Sequence, residues 1–309
     1  MEEQCIGIDL GGTNIRIGLV NERDEVGDLL YLSVKEYSSW DDLLIKLISI
    51  IRKMEVDRIK AAGIAVAGGV SLPQGVVSYS PHMRWIDGQP IKESLARAIN
   101  VPVLIDNDAN AITYGEWMYG AGKGLSSIIC LTLGSGVGAG IILKGNLYRG
   151  EDGLGGEIGH MCVQPNGRPC RCGKRGCLEA YSSGTAVSTI YRETNQNGQI
   201  DNRLNPVQIY ERAVGGDKRA LGVFNTLGVH LGIAIANLVN VLSTHHYIIA
   251  GGVSHAWELF FDPLEEALEA NLFNPHKGRV KVFRGQLGDK AGVVGVARMA
   301  RDYLKSKIQ

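Results

Sequence analysis

The residues best able to do chemistry in this 309-residue chain fall in a few short runs. One is Ile105-Asp106-Asn107-Asp108-Ala109-Asn110-Ala111, where an apolar stretch runs into an alanine-rich helix. A carboxylate is favoured at a helix N-terminus, so Asp106 or Asp108 could serve only as a cap. Two Asp and two Asn within five residues exceed what capping needs. The other reading makes Asp108 a general base that takes the proton of an attacking hydroxyl, with Asn107 orienting the acceptor and Asp106 capping or bracing the loop.

A second run is Gly155-Gly156-Glu157-Ile158-Gly159-His160, followed by Cys170, Cys172 and Cys177. Three thiols and one imidazole so close suit a closed tetrahedral zinc site of His160, Cys170, Cys172 and Cys177; a redox thiol pair is the competing reading. With four protein ligands the zinc would be structural, bracing the loop that carries Glu157, His160 and Glu179. Taken singly, Glu157 and Glu179 read as surface carboxylates, and their nearness to the four ligands is what sets them apart. Cys5, Cys130 and Cys162 stand alone and are expected to be small buried apolar residues.

One device occurs twice. Ile6-Gly7-Ile8-Asp9-Leu10 leads through Gly11, Gly12 and Thr13 into a returning strand, and Ile128–Leu133, with Thr132 near its end, leads through Gly134, Ser135 and Gly136 into another. Such turns aim backbone N–H groups and a hydroxyl at an anion, and glycine lets a phosphate approach. A pair of them suggests duplicated halves holding a polyphosphate. Asp9, beside the first turn, would repel phosphate unless a hard cation lay between, so it is read as a Mg²⁺ residue acting through water, or else as a turn-stabilising Asp. No G-x-x-x-x-G-K-[ST] occurs, and the glycines do not open a helix within a βαβ unit, which excludes the Walker and dinucleotide-binding patterns.

The elements that must position these groups alternate. Strands are predicted at 4–10, 15–20, 61–66, 101–105, 126–133, 137–143 and 245–250, and helices at 40–55, 108–119, 184–194, 217–242, 257–271 and 289–305; 195–205 reads as a polar loop. Alternation argues an α/β fold, and the length argues two domains. The chain has 32 Lys and Arg against 32 Asp and Glu, so no field favours nucleic acid or an anionic membrane. No uninterrupted apolar run is long enough to span a bilayer, and no basic-then-apolar leader is evident. A cytoplasmic protein is expected.

The paired turns resemble the phosphate loops of the actin, hexokinase and Hsp70 superfamily, with Ile248-Ile249-Ala250-Gly251-Gly252-Val253-Ser254 as the likeness of its adenosine loop. The full set narrows this. Asp9-x-Gly-Gly-Thr13, Asp106-Asn-Asp-Ala-Asn110, Leu133-Gly-Ser-Gly-Val-Gly138, Gly156-Glu-x-Gly-His160 and Cys170-x-Cys-Gly-x-x-Gly-Cys-x-Glu179 together look like the ROK family of sugar kinases and sugar-responsive repressors, its glucokinases above all. The resemblance implies an actin-like ATPase (ribonuclease H-like) fold, two α/β domains around a cleft: 1–118 with 294–309, the last helix returning, and 119–293 with the zinc loop. It implies ATP bound at Asp9, Gly11, Gly12, Thr13, Thr132, Gly134, Ser135, Gly136, Gly251 and Gly252, and a hexose bound at Gly68, Asn107, Asp108, Glu157, His160 and Glu179. The implied reaction moves the γ-phosphate of Mg²⁺-ATP to the 6-hydroxyl of glucose, with Asp108 as base, in a homodimer. Kinases of N-acetylmannosamine, N-acetylglucosamine, fructose, mannose or allose share these parts. A repressor of the family would carry an added helix-turn-helix ahead of the first turn, and none is expected here. Two departures stand out: Ala67-Gly68-Gly69 where relatives have a Pro-Gly-Pro-like turn, and Ser135 where Thr is common. In Ser80-Pro81-His82-Met83-Arg84-Trp85, similar to a Pro-Asn or Pro-His segment of glucokinases, Trp85 either walls the sugar or packs.

Overall fold

The computed structural model describes residues 3–54, 58–72, 74–194 and 204–308. In chain order the elements are β1 (Gln4–Leu10), β2 (Asn14–Val20), β3 (Leu30–Ser33), α1 (Trp40–Ile51), β4 (Ile59–Val66), β5 (Gly69–Ser71), β6 (Val76–Tyr79), α2 (Ile91–Ile99), β7 (Val103–Asn107) and α3 (Asp108–Tyr119). Then come β8 (Ile128–Leu133), β9 (Val137–Leu143), β10 (Asn146–Tyr148), α4 (Glu179–Ser182), α5 (Gly184–Glu193), α6 (Pro206–Val214), α7 (Lys218–Leu242), β11 (His246–Ala250), α8 (Trp257–Asn271), β12 (Lys281–Arg284) and α9 (Ala291–Ile308). Two compact units result: residues 1–126, 140–156 and 286–309, and residues 127–139 and 157–285.

The first unit is built on a sheet of order β3-β2-β1-β4-β7. β1 pairs antiparallel with β2 and parallel with β4, and β4 parallel with β7. Parallel strands buried on both faces read as near-continuous apolar runs, and β1 does so from Cys5 to Ile8 and β4 from Ala61 to Val66. One face packs on Leu43 and Leu47 of α1 and Leu95 of α2. The other receives α9, through Val293 and Ala297 against Cys5 and Ala61. Glycine in the strands permits this approach: a methyl group at Gly63 would lie 2.2 Å from the carbonyl oxygen of Val296. The unit reaches beyond 118, to 126, and includes 140–156, because Arg149 in that segment pairs with Asp106 of β7.

The second sheet has the order β10-β9-β8-β11-β12, and the chain leaves the second unit within β9. β8, β11 and β12 are parallel, with Tyr247 opposite Ile129 and Ile248 opposite Phe283. Beside them α7 packs on α8 at backbone distance; a methyl at Gly228 would stand 2.3 Å from the Phe260 carbonyl oxygen. By length and composition α7 could cross a membrane, yet more than half of its most apolar window is buried in the protein. Its apolar residues are those of a core helix. Asp217 caps it by accepting from the N–H groups of Arg219 and Ala220.

Helix α1 stops at Ile51 rather than 55, after Trp40, Leu43, Leu47 and Ile51 have been buried. The loop expected at 195–205 lies outside the described residues except for 204–205, which have no regular structure.

Candidate active site

In the first unit, β1, β4 and β7 run parallel and end at the same level: Asp9 stands opposite Ala65 and Ala65 opposite Asp106. Ligands of open α/β sheets bind beyond the carboxyl ends of the strands. The turn Gly11–Thr13, the turn at Gly68 and the pair Asn107–Asp108 all follow those ends.

Asp9 is 4% exposed. Burial pushes its carboxyl up to about 6; Arg16 opposes the shift and Asp289 adds to it. Arg16 Nη1 lies 3.3 Å from Asp9 Oδ2, and Nη2 lies 2.8 Å from Asp289 Oδ1. The Nε–H of Arg16 is buried and has no acceptor. A buried carboxylate that resists ionisation, beside an unpaired donor, is what a hydrated divalent cation with its phosphate would satisfy, so these residues fit Mg²⁺ held through water.

The 106–110 run divides its tasks. Asn107 is the cap of α3; its Oδ1 accepts the N–H groups of Ala109 and Asn110. Its Nδ2 donates to the Gly68 carbonyl oxygen at 3.0 Å, so cap and turn hold each other. Asp106, expected to cap or brace, braces: Oδ1 accepts from Asn107 N and Asn110 Nδ2, both at 2.8 Å, and Oδ2 from Arg149 Nε at 2.7 Å. Neither aspartate is the cap. Asp108 is the first helical residue, half-buried, with Oδ1 2.9 Å from Ala109 N. Asn107 thus supplies the cap and Asp106 the brace, with Asp108 sharing the Ala109 N–H.

In the second unit, Gly134–Gly136 follows β8 and Gly251–Gly252 follows the parallel β11, with Ala250 opposite Thr132. Gly251 has φ +85°, and a methyl there would lie 2.6 Å from the Leu133 carbonyl oxygen, so glycine is required twice over. Ser135 is exposed at the tip, and its carbonyl oxygen accepts from Thr185 Oγ1 at 2.7 Å. Glu179 opens α4 and its Oε2 accepts the Val137 N–H at 3.0 Å, alongside Gly136, where any side chain would strike it. This ties Glu179 to the second glycine turn, a link hidden in the sequence.

Glu157 is exposed and precedes the short helical turn Ile158–His160. Beyond it, His160, Cys170, Cys172 and Cys177 place their ligand atoms within 4.8 Å of one another. Cys170 Sγ lies 3.8 Å from His160 Nδ1, and Cys172 Sγ lies 3.6 Å from Cys177 Sγ. Ligands at about 2.3 Å around one tetrahedral ion stand roughly 3.8 Å apart, so the spacing fits. Burial, with the neighbouring thiols, pushes Cys177 up to about 12. Three thiolates so crowded would repel one another, and a shared dication would remove that conflict. The backbone frames the site: Val163 N donates to Gly176 O and Cys170 N to Lys174 O, each at 2.8 Å. Cys170 Sγ also lies 3.9 Å from Glu179 Oε1, which connects this module to the glutamate on the phosphate turn.

Of the three other cysteines, Cys5 and Cys130 are buried as expected. Cys162 is not: it is exposed, because it pairs by its backbone with Cys177 at the rim of the four-ligand knuckle, outside any apolar core. Trp85 is half-buried against the apolar core of the first unit. Sequence reasoning passed over Arg16, Arg149 and Asp289, and left His82 without a role. Arg16 carried a faint signal, a cation within a strand that otherwise buries its side chains.

The family model described as the ROK family matches residues 5–303. A glucokinase of Thermotoga maritima is 31% identical over 97% of this chain and 98% of its own length. A xylose repressor of Caldicellulosiruptor bescii is 32% identical over 97% of this chain and 78% of its own length. Among solved structures, a glucokinase of Streptomyces griseus in complex with glucose and AMPPNP superposes with a TM-score of 0.84 at 32% identity, covering 97% of this chain and 99% of that one. The fold is therefore the actin-like ATPase fold of that group.

Proposed function

Because this chain belongs to the ROK family and is a sugar kinase, we propose that it transfers the γ-phosphate of ATP to the 6-hydroxyl of glucose, with Asp108 as general base. The observation that carries the reading is the common level of three parallel strand ends, which brings the Asp9 turn, Gly68 and Asn107–Asp108 to one edge of the sheet. A phosphate turn and a base relieved of capping duty are the two things that an in-line transfer to an alcohol needs.

Asp108 takes the hydroxyl proton as the sugar oxygen attacks the γ-phosphorus, and the bond to the bridging oxygen of ADP breaks. Asn107 and the Gly68 backbone hold the sugar on the side of the first unit. In the second unit Glu157, His160 and Glu179 accept or donate to its other hydroxyls. Gly11, Gly12 and Thr13, with Thr132, Gly134, Ser135 and Gly136, give the N–H groups and hydroxyls that bind phosphate, and Gly251 and Gly252 let the adenosine approach the backbone. Asp9 would hold Mg²⁺ through water, and the ion would supply charge neutralisation for the phosphates of ATP. His160, Cys170, Cys172 and Cys177 would hold Zn²⁺, which would brace the loop that carries Glu157 and Glu179. A cytoplasmic homodimer that binds no nucleic acid belongs to the same proposal.

Asp108→Asn tests the role of the base. Turnover is expected to fall by about 10²–10⁴-fold, with glucose affinity by titration calorimetry within about twofold of the parent. Near-normal turnover would remove Asp108 from the mechanism.

A further inference from the structure

The ring of His82 lies directly on the first phosphate turn. A methyl group on Gly12 would stand 2.5 Å from His82 Cδ2, 2.8 Å from Cγ and 3.0 Å from Nε2. The imidazole occupies the space where any other residue at 12 would put its side chain. Gly12 does not have a positive φ, so its own conformation does not call for glycine. The neighbouring ring does.

The loop that delivers His82 is firmly built. Ser80 is fully buried; its Oγ donates to the Ala67 carbonyl oxygen at 2.8 Å and accepts the Met83 N–H at 3.2 Å. The Ser80 N–H donates to Asp87 Oδ1 at 2.7 Å, and Arg84 Nε pairs with Asp87 Oδ2 at 2.7 Å. Met83 and Ile86 are anchored in the core, whereas His82 is exposed. On its other side the loop meets the acceptor turn: a methyl on Gly68 would lie 2.3 Å from the Tyr79 carbonyl oxygen, and Gly68 holds Asn107. One short series of contacts thus runs Gly12, His82, Ser80, Gly68, Asn107, from the turn assigned to phosphate to the cap that adjoins Asp108.

We infer that His82 is a further catalytic residue whose imidazole N–H hydrogen-bonds the γ-phosphoryl group during its transfer. The inference rests on the kinase reading above. In the step, the bond from the sugar oxygen to phosphorus forms, the bond from phosphorus to the ADP oxygen breaks, and the hydroxyl proton goes to Asp108. His82 gives up no proton; it offers one donor to oxygens whose charge changes as the group moves. The ring is exposed, on a loop whose neighbours Ser80 and Met83 are buried.

The experiment compares the parent with His82→Ala and His82→Gln, measuring hexose-dependent ADP release and the affinities for Mg²⁺-ADP and a non-hydrolysable Mg²⁺-ATP analogue. For His82→Ala, kcat is expected to fall by about 10²-fold. Affinity for the ATP analogue should drop by at least about fivefold while those for ADP and for the sugar stay within about twofold, because only the γ-group is touched. His82→Gln, which restores an N–H donor, should recover at least about fivefold of the lost kcat. Gly12→Ala, whose methyl displaces the ring, should impair the parent but add little to His82→Ala. A His82→Ala kcat within about threefold of the parent, or equal losses for ADP and the ATP analogue, would overturn the inference. Failure of the parent itself to release ADP with any hexose would instead sink the kinase reading, and this inference with it.

Discussion

Asp9 is a carboxylate in a place that disfavours its charge. Burial raises its pKa from 3.8 to about 6. Between those values the unfolded chain is ionised while the folded one still holds the proton, so stability declines as pH rises. Above about 6 the cost is complete, at roughly 3 kcal/mol for a shift of this size. In metal-free buffer Asp9→Asn is therefore expected to raise unfolding free energy by up to about 3 kcal/mol at pH 8 and to change it little near pH 4, while removing activity. Urea unfolding at the two pH values checks this; a variant less stable than the parent at pH 8 would refute it. Asp9 and Asp108 drew notice in the sequence because each sits in a local run whose residue types exceed what a turn or a cap needs. Their partners were not. Arg149 reaches Asp106 across 43 residues and Asp289 reaches Arg16 across 273, and no periodicity reports such pairs.

At the scale of elements, the four-ligand knuckle does more than hold itself together. Through Cys170 and Glu179 it reaches the N–H of Val137, where the second phosphate turn enters β9. The purified protein is expected to contain about one zinc per chain. Cys172→Ser or chelation should release it, open residues 161–178 to proteolysis and lower the thermal midpoint. Metal analysis that finds no zinc, with the segment still resistant to protease, would defeat this assignment. Helix α8 was readable from the apolar spacing of Phe260, Leu264 and Leu268, without a capping side chain, and helix α3 from the polar run that ends an apolar strand and supplies its cap, Asn107. Strands β3, β10 and β12 were not: each is only three or four residues long and lies at a sheet edge, too short for alternation to register. Helix α2 did carry a signal, Ile91, Leu95 and Ile99 on one face, but its mean hydropathy is low and Asn100 ends it early in a left-handed turn. Helix α6 follows directly on the polar stretch, and its start is marked only by the Asn205 capping box with Pro206.

At the scale of the molecule, the two units repeat one scheme: a strand, a glycine turn and a returning strand, with a parallel neighbour that ends in a further turn. That duplication is what the spacing of the two glycine turns announced. What spacing could not announce was where the chain changes units, after 126, 139, 156 and 285, since one of these changes falls inside β9, a strand with no break in its apolar pattern. The preference for one sugar belongs to this scale too, since it is a property of the whole chain rather than of any one run of residues. The most direct test of the account is ADP release by the parent protein with saturating Mg²⁺-ATP across glucose, mannose, fructose, allose and the N-acetylhexosamines. The account expects sugar-dependent release with kcat/KM for glucose at least about tenfold above the N-acetylhexosamines, and glucose 6-phosphate as product. No release with any of these sugars, or a clear preference for an N-acetylhexosamine, would contradict it.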